Sequence, residues 1–368
     1  MSLVPKHIQK LSPYKPGMHI QTAKRDYGIE KIIKLASNEN PLGPSPESLK
    51  KIKDTLNENH RYPDSYAFYL RKKLAAKFNV DIQNVILGSG SEGIMSTIMR
   101  TFLNKTDEII GVKNSFIGFR VLANASGNLT RWVDMADYKY NLVEIAEAIN
   151  DNTKIIYLAN PDNPTGSYFD KIEFDQFMTK VPERVLVILD EAYFEYSSSL
   201  DDYPDSMKYR FDNVITLRTF SKCYGLAGLR IGYGFAHHNL IDNLMKVKLP
   251  FEPSIPAQEA AIAAMDDNNH LEKTIKINES EKTIIEHNLK QMSVNFIKSS
   301  TNFITLIFES DFQALTFTKL MLQNGIIVRH LDSFGLAECV RVTVGTSEEN
   351  KVYIKILQKI INKVYEKV

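Results

Sequence analysis

Between residues 70 and 235 the chain alternates short β-branched apolar runs with stretches whose apolar residues recur at helical spacing, which predicts strands and helices in turn. The strand-length runs lie at 84–87, 108–112, 154–158, 184–189, 213–217 and 229–235, with amphipathic segments such as 94–103 and 142–149 between them. Such alternation predicts an α/β fold with a mostly parallel, helix-covered sheet. Beyond Pro256 the helical patterns lengthen, as at 281–292, and strand-like runs appear at 302–308, 325–329 and 339–344. Thr346-Ser347-Glu348-Glu349 has the spacing of a capping box, and Tyr353, Leu357, Ile360 and Val364 then share one helical face. We therefore expect a large α/β domain over residues 31–255, and a smaller α+β domain over 256–368 joined by residues 1–30 as an N-terminal arm.

The length of 368 residues exceeds one ordinary domain of roughly 100–200 residues, in keeping with two packed units. With 43% hydrophobic and 24% charged residues the chain is far from the composition of disorder. Lys plus Arg (45) almost cancels Asp plus Glu (44), which leaves no field to attract nucleic acid or an anionic membrane. The partners to expect are small molecules and a second copy of the chain. Cys223 and Cys339 are too few for a disulfide framework and match no metal motif. Residues 1–14 carry Lys6, His7, Gln9 and Lys10 among their apolar positions, unlike a signal peptide. Apolar runs such as 185–189 fall far short of the roughly 20 residues of a membrane helix. A soluble, cytoplasmic protein is expected.

Ligands of open α/β sheets bind beyond the carboxyl ends of the strands, and here those positions are rich in chemistry. They read Gly88-Ser89-Gly90-Ser91-Glu92-Gly93, Asn160-Pro161-Asp162-Asn163-Pro164-Thr165-Gly166, Asp190-Glu191-Ala192-Tyr193 and Thr219-Phe220-Ser221-Lys222. The first matches a G-x-G-x-x-G dinucleotide fingerprint, so a nicotinamide-dependent oxidoreductase is one reading. That site wants an acid at the end of the next strand; Asp107 and Glu108 open it instead, and Lys113-Asn114 close it. The turn's backbone N–H groups at a helix start suit a single phosphate.

Lys222 is a candidate Schiff-base nucleophile, with Ser221 and Arg230 as two further phosphate-binding groups; read alone, such a lysine is an ordinary surface charge. Asp190 ends an apolar run, where a carboxylate needs a cation or hydrogen bonds. Its partner is either a structural cation or a pyridinium nitrogen, whose protonation makes pyridoxal phosphate an electron sink. Tyr193 and Asn163 suit that ring's phenolic oxygen, and Phe116 suits its face or the core.

With those residues in view, the chain resembles fold-type-I pyridoxal-phosphate aminotransferases, and within them the histidinol-phosphate aminotransferase family. The likeness spans nearly the whole length, from Tyr14 through Asn38-Glu39-Asn40-Pro41-Leu42-Gly43-Pro44 and Arg61-Tyr62-Pro63-Asp64 to Arg329 and Val340-Arg341-Val342-Thr343-Val344-Gly345-Thr346. The resemblance implies a large, mostly parallel seven-stranded sheet domain and a smaller α+β domain. It makes Lys222 the Schiff-base lysine, Asp190 the pyridinium partner, and Asn163 with Tyr193 the ligands of the phenolic oxygen. Gly90, Ser91, Ser221 and Arg230 match the phosphate cup, with Glu92 and Phe116 also at the cofactor. Arg341 matches the arginine that fixes a substrate carboxylate. Tyr14, Arg329 and, from a partner subunit, Tyr62 match positions around substrate and cofactor, which implies a homodimer with shared sites. Phe116 stands where a tyrosine is common, and Ser91 where an aspartate is. The implied reaction exchanges an amino group between histidinol phosphate and 2-oxoglutarate or glutamate; an aromatic (phenylalanine or tyrosine) aminotransferase is the alternative. Without the resemblance, Arg329 has a plainer reading as a salt-bridge partner of Asp332.

Overall fold

The computed structural model describes residues 3–209 and 211–366; residues 1, 2, 367 and 368 at the expected arm and C-terminus lie outside the described residues. In chain order the strands are β1 (Ile33–Lys34), β2 (Val85–Gly88), β3 (Glu108–Val112), β4 (Leu129–Val133), β5 (Thr153–Ala159), β6 (Leu186–Asp190), β7 (Val214–Thr219), β8 (Gly232–Phe235), β9 (Asn295–Ile297), β10 (Phe303–Ile307), β11 (Ile326–Ile327), β12 (Arg329–His330) and β13 (Cys339–Thr343). Seven of them form the main sheet in the order β2-β8-β7-β6-β5-β3-β4. Pairing is parallel from β7 through β6, β5 and β3 to β4. β8 alone is antiparallel to its neighbours β2 and β7.

This sheet is mostly parallel because helices bury its strands, so β3 and β6 are buried at every position and read as continuous apolar runs. The helix Gly90–Phe102, for example, buries Ile94, Met95, Ile98 and Met99 in the same core as Ile109, Ile156 and Val187. β4 was not among the apolar runs of the sequence. It lies at the sheet edge with Leu129 exposed and its other residues only part-buried at most, so burial did not impose an apolar pattern there.

Where Arg230 comes to lie is decided by the direction of β8. The first residue of that strand, Gly232, is in register with the last residues of β2 and β7, Gly88 and Thr219. The segment preceding β8, including Arg230, is thereby brought to the same rim as the carboxyl ends of the parallel strands.

A second, antiparallel sheet has the order β12-β13-β10-β9, and β1 pairs in parallel with β11 beside it. Its core joins Leu35, Leu306, Phe317, Met321 and Val342 to Tyr353, Leu357, Ile360 and Val364 from the helix Ser347–Tyr365. That helix opens with the expected capping box: Glu349 N–H donates to Thr346 Oγ1 (3.2 Å) and Thr346 N–H to Glu349 Oε2 (2.8 Å). Two segments cross the lines at which we expected the domains to divide. Ile33–Lys34 pairs with β11, and the helix Ile255–Asp266 buries Ala257, Ala260, Ala261 and Ala264 in a cluster with Leu70, Val85 and Tyr233 of the large sheet's side. Among the described residues no helix is long and apolar enough to cross a membrane.

Candidate active site

A cavity of about 220 Å³ opens at the rim where β2, β5, β6 and β7 end, and Asp190, Lys222, Tyr193, Asn163, Phe116, Ser91, Glu92, Ser221 and Arg230 all line it. Lys222 lies three residues beyond β7. Burial, then the positive charge of Arg341 and of Arg230, bring its amine down to about 8, against the opposing pull of Glu39 and Asp190. An amine so shifted is a nucleophile and proton acceptor close to neutral pH.

Asp190 is the last residue of β6 and is buried. Burial pushes its carboxyl up to about 7, offset chiefly by a hydrogen bond from the Tyr157 hydroxyl to Oδ2 (2.9 Å) and by the Ala192 N–H. Its other oxygen, Oδ1, has no hydrogen-bond partner among the described residues. A buried acceptor without a donor is costly, and the ring N–H of a pyridinium is a donor of the right kind. Tyr193, three residues on, is buried with its hydroxyl accepting from Asn38 Nδ2 (2.8 Å), and burial pushes it up to about 12. Asn38 is held with φ 56° by Thr343, whose hydroxyl accepts from the Asn38 N–H at 2.9 Å.

Beside Ser91 and Glu92 the cavity meets the start of a helix. Gly90 starts the helix Gly90–Phe102 with φ 77°, a conformation open to glycine, and leaves the first helical N–H groups without intrahelical partners. A Cβ on Gly232 would stand 2.5 Å from Ser91 N, so only glycine lets β8 approach the helix start this closely. Ser221 Oγ accepts from Thr219 Oγ1 (2.9 Å) and from Arg230 Nη1 (3.4 Å), and Arg230 Nη2 meets Glu92 Oε2 at 3.3 Å. These donors, a helix N-terminus and a guanidinium fit a phosphate, and with Asp190 they fit pyridoxal phosphate. The nicotinamide reading fares worse: the acid nearest the next strand, Glu108, opens β3 and is bound to Arg131 (2.6 Å).

A second cavity of about 450 Å³ shares Glu92, Phe116, Asn163 and Lys222 with the first and adds Tyr14, Arg329, Phe334 and Arg341. Arg329 on β12 and Arg341 on β13 are direct cross-strand partners, and both are buried. Among the described residues neither has a carboxylate within ion-pair distance; Asp332, the plainer partner for Arg329, instead lies 3.9 Å from His330. Arg329 Nη2 donates to the Lys15 carbonyl and to Ser333 Oγ, both at 3.0 Å. Arg341 donates to the Ala36 carbonyl (3.0 Å) and to Asn163 Oδ1, while its Nε has no partner among the described residues. Burial and the neighbouring Arg329 hold Arg341 down to about 10. Phe334 offers its ring to both guanidiniums, 5.9 Å and 5.8 Å away.

Tyr14 is 53% exposed at the mouth of this cavity. Tyr62 lines neither cavity of its own chain; it is 78% exposed and stacks on Phe251 (4.3 Å between centroids). Sequence alone does not single out three further residues of the site. Asn38 lies in the stretch 38–44 without a mark of its own, Phe334 ends a short 3-10 turn over Asp332–Phe334 that carries no motif, and Tyr157 lies inside a run indistinguishable from core.

A family model described as aminotransferase class I and II matches residues 30–357. A histidinol-phosphate aminotransferase of Caldicellulosiruptor saccharolyticus is 40% identical over 96% of this chain and 99% of its own. Histidinol-phosphate aminotransferase 2 of Carboxydothermus hydrogenoformans is 39% identical over 98% and 99%. The crystal structure of histidinol-phosphate aminotransferase from Sinorhizobium meliloti in complex with pyridoxal-5'-phosphate superposes with a TM-score of 0.90 at 27% identity, covering 99% of each chain.

Proposed function

Because this chain belongs to the class I and II aminotransferases, and within them to the histidinol-phosphate aminotransferase family, we propose that it transfers an amino group between histidinol phosphate and 2-oxoglutarate with pyridoxal phosphate as cofactor. The observation that carries the substrate reading is the pair Arg329 and Arg341. Two buried guanidiniums on directly opposite residues, neither with a carboxylate within ion-pair distance among the described residues, repel, and an anionic substrate group relieves that repulsion. A phosphate ester suits one of them, and a dicarboxylic acid entering afterwards suits the same region.

When bound, pyridoxal phosphate supplies an electron sink for the substrate carbon that loses its proton. Asp190 would hold the ring nitrogen through its free Oδ1, Tyr193 and Asn163 the ring oxygen, and Phe116 a ring face. The first N–H groups of the helix at Gly90, with Ser91, Glu92, Ser221 and Arg230, would hold the phosphate. Lys222 would anchor the cofactor through its Nζ, and the same Nζ, when free, would accept the proton lost by the substrate carbon and later give it up. We further propose that a homodimer supplies Tyr62 of the partner subunit to the site, and that the enzyme works in the cytoplasm, where the two buried free thiols stay reduced.

A half-reaction screen tests this reading. Purified protein loaded with pyridoxal phosphate is mixed with single amines and its visible absorbance followed; histidinol phosphate is expected to convert the cofactor fastest, ahead of phenylalanine and tyrosine. A faster conversion by phenylalanine would make the protein an aromatic aminotransferase instead.

A further inference from the structure

Asp190 has one carboxylate oxygen free and the other held, and the residue that holds it is Tyr157. Tyr157 and Ala159 lie on one face of β5, and Ala159 is in register with Asp190 on β6. The alanine methyl leaves room for the longer tyrosine to reach across to Asp190 Oδ2, 2.9 Å from its hydroxyl. The Tyr157 ring is clamped by face-to-face stacking on Phe119, 4.0 Å between centroids and 10° from parallel. Both rings are buried, and Tyr157 forms part of the cavity wall. We infer that Tyr157 is a positioning residue for the reaction: its hydroxyl fixes Asp190 Oδ2, leaves Oδ1 as the unpaired acceptor, and keeps the carboxylate ionised for the ring nitrogen.

The need for such a donor comes from the surroundings of Asp190. Glu92, from the helix Gly90–Phe102, raises its proton affinity, while Lys222 beyond β7 lowers it. Tyr193 beyond β6 and Tyr140, ahead of the helix Leu142–Glu147, also lie close enough to feel its charge. Burial outweighs these, and the Tyr157 hydrogen bond is the largest of the influences that oppose it. Burial also pushes the Tyr157 phenol well above its ordinary range, so it remains a donor. A protonated Asp190 would present no charge to the ring nitrogen, and the electron sink would weaken.

This inference rests on the reading of Asp190 as the ring-nitrogen partner, and its test is first made without cofactor. In protein carrying aspartate labelled with carbon-13 at the carboxyl, the Asp190 resonance is assigned by its loss in Asp190→Asn and titrated. Tyr157→Phe, which keeps the stacked ring, is expected to move the Asp190 midpoint up by about one pH unit and to weaken pyridoxal phosphate binding. Replacement of Tyr157 by 3-fluorotyrosine, a stronger donor of nearly the same shape, should move it down. Phe119→Leu removes the stacking partner but keeps the hydroxyl, and should lower thermal stability while leaving the midpoint in place. An unmoved midpoint in Tyr157→Phe, or equal shifts in Tyr157→Phe and Phe119→Leu, would reduce Tyr157 to packing and overturn the inference. The expected shifts in a protein with no affinity for pyridoxal phosphate would instead refute the proposed function and keep the coupling.

Discussion

Lys222 shows how much of the chemistry is set at the scale of one side chain. Its amine is brought to about 8 from the ordinary 10.5, so half of it is neutral near pH 8, where an exposed lysine is almost wholly protonated. The fold thus binds fewer protons than the unfolded chain between about pH 8 and 10.5, and this group's contribution to stability rises with pH across that window. In cofactor-free protein, modification of Lys222 by a neutral amine-directed reagent, followed by mass spectrometry of its peptide, should climb with pH and level off with a midpoint near 8. A rate still climbing steeply above pH 9 would make Lys222 an ordinary lysine. Arg329 permits a second test at this scale. Removing a desolvated charge partner costs on the order of 2–5 kcal/mol in binding, a rim salt bridge under about 1. Arg329→Ala should therefore cut kcat/KM for histidinol phosphate by at least tenfold and for phenylalanine far less. Equal losses on both substrates would remove the phosphate role. Arg341 is the harder case to probe, because its guanidinium also ties Asn163 to the Ala36 carbonyl, and its loss would disturb both.

At the scale of elements, the cofactor end depends on a helix start and a strand start meeting. The motif from Gly88 to Gly93 reads as a candidate phosphate-binding turn because its glycines precede a helical pattern. Ser221 and Arg230 of its other wall are candidates as well, but the direction of the strand that brings Arg230 there is not legible. Nothing local announces that β8 runs antiparallel, yet that direction brings Arg230 to the rim and sets Gly232 against the backbone of Gly90 and Ser91. Gly232→Ala places a methyl 2.5 Å from Ser91 N and 2.6 Å from Gly90 C. Both atoms belong to the one peptide bond between Gly90 and Ser91, and backbone cannot give way as a flexible side chain would, so the helix start must shift, at a cost of typically 1–3 kcal/mol. We expect a lower melting temperature and at least tenfold weaker pyridoxal phosphate binding, measured by fluorescence titration; unchanged affinity would mean the helix start does not hold the phosphate. The cross-strand pair of β12 and β13 obeys the same logic in the other sheet, where register alone sets Arg329 opposite Arg341.

For the whole molecule, Tyr62, Tyr66, Phe68, Tyr69, Leu249 and Phe251 are exposed apolar side chains of one chain, more than a lone surface aromatic needs to explain. The expected homodimer would cover such residues, with Tyr62 of the partner subunit completing each site. Sedimentation at assay concentration should show a dimer, and mixing inactive Lys222→Ala with inactive Tyr62→Ala chains should restore activity through the mixed dimer that keeps one intact site. An active monomer would contradict this. By itself the sequence determined the α/β character, the helix-covered parallel strands, the capped last helix and the four loaded strand ends. Those features are local, carried by apolar period, turn residues and caps within a few positions. Only the tertiary structure decided that the edge strand β4 completes the sheet, that Ile33–Lys34 joins β11, and that Asn38 reaches Tyr193. It also decided that Tyr157 holds Asp190 and that two arginines face each other with no carboxylate in ion-pair reach among the described residues. Each of these joins residues by register or by contact across the fold, and neither pairing partner nor strand direction leaves a local trace in the order of amino acids.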